Sequence, residues 1–135
     1  MRTIKFRAWC EGKHENIEFG NPCMVYDVTI QNGKFAAVVG GWDIQGTYKT
    51  VPIMQFTGLQ DKHGKDIYEG DILKVKNIYN EEQIFSGLLT VYYNEELGAF
   101  RLLSEDGTWG SYMLVDYTER YEVIGNIHEN KHLIK

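Results

Sequence analysis

The chain has 135 residues, 43% of them hydrophobic and 24% charged, and a formal net charge of −5. That is one domain's length, enough to bury a core without staples, and its 18 aromatics argue against disorder. No run approaches the ~18 apolar residues of a membrane helix, and a chain of this charge does not attract phosphate as a whole.

The composition favours sheet. Twenty-nine residues are β-branched and only four are Ala, while fourteen glycines punctuate the chain at short intervals. Arg2 to Trp9 alternates with period two, putting Ile4, Phe6 and Ala8 on one face. Thr3, Lys5, Arg7 and Trp9 fall on the other, which reads as wet. Residues 10–23 lose the pattern and read as a loop. Met24 to Ile30 and Lys34 to Val39 flank Asn32-Gly33, whose tolerance of positive φ predicts a hairpin. Gly40, Gly41 and Gly46 bracket a short mobile link.

A second group of strands begins at Val51. Ile53 to Thr57 and Ile72 to Tyr79 read as strands, separated by turns at Asp61–Gly64 and Tyr68–Asp71. In the later strand Leu73 and Val75 share one face, and Lys74 and Lys76 the other. Ile84 to Tyr93 and Ala99 to Leu103 form a hairpin around Asn94–Gly98, and Glu105-Asp106-Gly107 turns the chain again. Tyr112 to Thr118 fits either a strand or one helical turn. Tyr121 to Ile127 closes the pattern, with Tyr121, Val123, Gly125 and Ile127 on one side.

The expected fold is therefore mainly β with little helix. We read a compact barrel or sandwich of short antiparallel strands, with an SH3-like sub-barrel in the C-terminal two-thirds. It forms a single domain with lobes over about 1–46 and 51–128 and a short tail over 129–135.

Three segments carry a family resemblance. They are Ile4–Trp9, the central Met54-Gln-Phe-Thr-Gly-Leu-Gln-Asp-Lys-His-Gly-Lys-Asp-Ile-Tyr-Glu-Gly-Asp-Ile72, and Glu122–Asn130. In order and spacing they resemble the YopX family of small phage and prophage proteins. His63 and His128 stand where the family pattern more often has Asn and Tyr. The resemblance implies a mainly β fold and a phage or prophage setting, and supplies no activity. The central segment also reads physically as a scaffold. Gly58, Gly64 and Gly70 suit turn positions with positive φ, Asp71 and Gly125 complete the structural signature, and Asp61 and Asp66 read as solvated.

Several patterns imitate chemistry without completing it. His128-Glu-Asn-Lys-His132 fits the zinc-protease spelling but follows a strand and leaves no room for a downstream ligand. Cys10, His14 and Cys23 lack paired zinc spacing and a fourth ligand. Gly41 to Thr47 imitates a P-loop without its lysine. Asp61, Asp66, Glu69 and Asp71 crowd together but miss the EF-hand spacing. We therefore expect no catalytic, cofactor or metal site and no enzyme activity.

One binding surface is suggested instead. Lys5, Arg7 and Trp9 share a strand face, as do Lys74 and Lys76. Side by side they would make a basic stripe with an aromatic platform for nucleic acid. The net charge opposes this, as does the C-terminal third, where residues 81–135 hold ten Asp/Glu against four Lys/Arg. The preferred expectation is a non-enzymatic accessory protein acting through protein contacts, its aromatic excess pointing to a homo-oligomer. The opening residues lack a signal-peptide core, so we expect the bacterial cytosol, reduced thiols at Cys10 and Cys23, and no membrane partner.

Overall fold

A computed structural model describes residues 3–10, 13–14, 17–18, 22–31, 34–39, 42–47, 52–80, 83–104, 111–114 and 118–133. The fold is mainly β, as the composition predicts, and among the described residues the ladders with a defined register are antiparallel. The chain divides into two compact units, Met1–Phe56 and Thr57–Lys135, with the division inside one strand.

The first unit holds β1 (Phe6–Cys10), β2 (Lys13–His14), β3 (Ile17–Glu18), β4 (Cys23–Gln31), β5 (Lys34–Val39), β6 (Trp42–Thr47) and the start of β7 (Ile53–Gln60). Its sheet runs in the order β6-β5-β4-β1-β7. Gln31 pairs with Lys34, so β4 and β5 form the predicted hairpin, although Asn32 and Gly33 themselves lie outside the described residues. The stretch expected to be a loop holds the small β2–β3 ribbon. The expected mobile link is largely strand β6, which includes Gly46, while Gly40 and Gly41 lie outside the described residues. Ala8, Cys10, Val25 and Val28 form this unit's core, with Phe6, Cys23 and Ile53 packed against it.

The face of β1 expected to be wet is not. Arg7 is 2% exposed and Trp9 8% exposed, although they alternate with core residues Ala8 and Cys10. Period two fixes which residues share a face. It carries no information on whether another part of the chain covers that face.

The second unit holds the end of β7, then β8 (Asp66–Tyr68), β9 (Asp71–Asn80), β10 (Gln83–Asn94), β11 (Ala99–Ser104), β12 (Ser111–Met113) and β13 (Tyr121–Asn126). Two single 3-10 turns cover Thr118–Arg120 and Lys131–Leu133. The segment left ambiguous thus divides into a short strand and a helical turn. β8 neighbours β7, and a five-stranded sheet runs β12-β11-β10-β9-β13. Leu73, Val75, Leu89, Val91, Leu102 and Tyr121 are at most 2% exposed and form its core with Ile67 and Ile78. Each such side chain contributes roughly 1.5–3 kcal/mol of burial.

The alternation in β9 is as expected, with Lys74 and Lys76 exposed between buried Leu73, Val75 and Ile78. An irregularity in the β9–β10 pairing keeps Ile78 inside. There Asn77 has φ of 53°, its N–H donates to Ser86 Oγ at 3.0 Å, and Arg120 Nη1 donates to its carbonyl. The closing strand departs from simple alternation, because its register with β9 shifts between Val123 and Gly125.

Candidate functional site

The second unit carries a shallow cleft of about 240 Å³ in which four cationic side chains meet: Lys62, Lys74, Lys76 and Arg120. Glu119 and Glu122 also line it, leaving an excess of two positive charges, and buried Tyr121 forms part of its wall. The four cations come from three local origins. Lys74 and Lys76 are successive outward residues of β9. Arg120 ends the 3-10 turn that leads into β13. Lys62 sits in the turn after β7, where its Nζ lies 3.3 Å from Glu122 Oε2. Glu122 is also the register partner of Lys74 across β9 and β13, and His63 Nε2 lies 3.9 Å from its Oε1.

The turn that presents Lys62 is held by one carboxylate. Asp61 is 1% exposed. Its Oδ1 accepts the N–H groups of His63 at 2.8 Å and Lys65 at 2.9 Å, and its Oδ2 accepts that of Val123 at 3.0 Å. The Lys62 N–H donates in turn to the Tyr121 carbonyl at 3.0 Å. Burial alone raises the pKa of such a carboxyl. The Val123, Lys65 and His63 donors, with the His63 charge, outweigh it and hold Asp61 below the usual range.

Two carboxylates of the central signature hold turns and are not solvated. Asp71 is also 1% exposed, and its Oδ2 accepts the Tyr68 N–H at 2.8 Å, closing the turn between β8 and β9. Asp66 is half-buried and accepts from Gln60 Nε2 at 3.1 Å. Gly58, Gly64 and Gly70 have φ of 90°, 77° and 84°, in the expected left-handed region. Gly64 is the simplest to test, because an added Cβ there meets nothing within 4 Å and only the backbone conformation resists. Gly64→Ala should cost about 1 kcal/mol in urea denaturation, with an unchanged m-value.

Gly125 obeys a different rule. An added Cβ would lie 2.4 Å from Asn130 Oδ1 and 2.9 Å from its Cβ. Asn130 packs there because its Oδ1 accepts the Asn126 N–H at 3.1 Å, while its own N–H returns to the Asn126 carbonyl at 2.9 Å. Asn126 Oδ1 then accepts from His128 and Glu129. The segment spelled like a zinc protease is thus a turn organised by two asparagines. Among the described residues, no group of three or more His, Cys, Asp or Glu side chains is placed to hold a metal.

The two proposed basic faces belong to separate units. Lys74 and Lys76 join the cleft. Lys5 instead places its Nζ 4.5 Å from the Phe56 ring centroid, and Arg7 and Trp9 are buried. Sequence reasoning missed Lys62, Glu119, Arg120 and Glu122. The one usable signal was the basic turn inside the signature, since the rest depends on the β9–β13 register.

The sequence profile of the YopX protein family matches residues 5–135. The chain belongs to the YopX family. Two solved structures share its architecture over their full lengths and over this entire chain. Protein EF1440 from Enterococcus faecalis is 26% identical with a TM-score of 0.61, and protein yopX from Bacillus subtilis is 20% identical with a TM-score of 0.54. No curated protein matches the chain. Among the described residues of this YopX-family chain, no helix is long and apolar enough to cross a membrane.

Proposed function

We propose that this YopX-family chain is a non-enzymatic accessory protein of a phage or prophage, acting in the host cytosol by binding a segment of another protein that carries both signs of charge with an acidic excess. The observation that supports this reading is the convergence of Lys62, Lys74, Lys76 and Arg120 on one cleft. The lining is long cationic side chains interrupted by Glu119 and Glu122. Such a mixed surface suits a peptide that offers both signs of charge, and it repels a uniform phosphate backbone at two points. Self-association belongs to the same reading, since Ile84, Tyr93 and Leu97 leave 43–63% of their surface exposed.

The test is fluorescence anisotropy at about 150 mM salt, with an acidic peptide and with single- and double-stranded oligonucleotides. The peptide should bind, and the paired change Lys74→Glu and Lys76→Glu should weaken it by roughly tenfold or more. Micromolar binding of an oligonucleotide, lost in the same variant, would replace this reading with nucleic-acid binding.

A further inference from the structure

Cys10 ends β1 and Cys23 begins β4, and the two are direct register partners in the antiparallel β1–β4 ladder. Residues directly opposite in such a ladder point to the same side of the sheet with Cα atoms ~4.5–5.5 Å apart, inside the ~4.4–6.8 Å range that a disulfide spans. Both belong to the first unit's core assembly, beside Ala8, Val25 and Val28. Both are free thiols in the structure. Cys10 is 3% exposed, whereas Cys23 is only half-buried.

We infer that Cys10 and Cys23 form a reversible cross-strand disulfide that pins β1 to β4, with Cys23 as the entry point for a low-molecular-weight disulfide as oxidant. The Cys23 thiolate attacks one sulfur of the oxidant, forming a mixed disulfide and expelling the other half as a thiolate. The Cys10 thiolate then attacks the Cys23 sulfur, and the second half leaves. The two protons lost by the cysteines end on the two departing thiolates. Two protein thiols are thereby oxidised to one disulfide, and the external disulfide is reduced to two thiols. In the free dithiol, burial and then the Cys23 charge push the Cys10 thiol up to about 11. Burial persists in the mixed disulfide, so the closing step accelerates as pH rises.

The experiment equilibrates the full chain with mixtures of reduced and oxidised glutathione, natively and in urea, and reads intact mass and the linked peptides. The native chain should lose two hydrogens, yield a Cys10–Cys23 peptide pair and recover fully in dithiothreitol. Its equilibrium constant for closure should exceed that in urea by roughly tenfold or more, because only the folded ladder holds the sulfurs in register. Cys10→Ser should stop at a glutathione adduct on Cys23. A wild-type chain that stops at that adduct, forms intermolecular dimers, or closes no better folded than unfolded overturns the inference.

Discussion

Replacing Asp61 by Ala should destabilise the protein by about 3–5 kcal/mol, more than any other single change within the signature. The substitution strips acceptors from the His63, Lys65 and Val123 N–H groups, in a place where the carboxylate itself is 1% exposed. Each buried donor left without a partner costs about 1–3 kcal/mol, and partial access of water to the turn keeps the sum near the lower end. Asp61→Asn should cost about 2–3 kcal/mol. The amide retains one oxygen for two donors, but its NH2 group then faces the third. A solvated Asp61, as the sequence reads, would make Asp61→Asn milder than Gly64→Ala; the three hydrogen bonds reverse that order.

The same residue sets an acid limb. Its folded pKa lies below the ordinary value of 3.8. A carboxylate with a depressed folded pKa contributes its stability fully above the unfolded value, and loses it as pH falls through the folded one. Wild-type stability from Asp61 should therefore be flat above about pH 5 and decline below about pH 4. Asp61→Asn should remove that share of the decline. Urea midpoints measured across this range in both proteins provide the check. An unchanged acid limb in the variant would exclude Asp61 as its source.

The second large effect is expected at Gly125. Gly125→Ala should cost about 2–3 kcal/mol, because the new methyl would lie 2.4–2.9 Å from the Asn130 side chain. Relief by moving Asn130 breaks its bond to the Asn126 N–H and loosens the turn after β13. A double-mutant cycle with Asn130→Gly separates this clash from glycine's general flexibility. Asn130→Gly removes the obstructing atoms, so Gly125→Ala in that background should cost less than about 1 kcal/mol. Equal costs in both backgrounds would show that Asn130 is not what requires the glycine.

How much of this was legible depended on how far apart the interacting residues lie in sequence. The β4–β5 and β10–β11 hairpins, and the alternation of Leu73, Lys74, Val75 and Lys76, are short-range features, and the structure has them. So are the positive φ values at Gly58, Gly64 and Gly70. Asp61 was misread because its decisive partner, Val123, is 62 residues away. A carboxylate among lysines and glycines looks solvated until that partner is known. Arg7 and Trp9 were misread because alternation is silent on coverage. Two of the candidate cleft's four cations were visible as Lys74 and Lys76. The rest waited on the β9–β13 register, which brings Glu122 opposite Lys74, and on the turn that delivers Lys62.

The position of β13 gives the Asp61 turn a further consequence. Among the described residues β13 is the last strand of its sheet, with no strand neighbour on one side of its backbone. Such a rim is a template on which a strand from another molecule can add, the first step of sheet-to-sheet aggregation. Here the turn fills part of the template: Lys62 donates to the Tyr121 carbonyl and Asp61 accepts from the Val123 N–H, so those two groups are already spent. The Asp61 turn should thus also act as a stopper on polymerisation. Variants that release it should be prone to self-assembly into extended sheets even under conditions where most molecules remain folded.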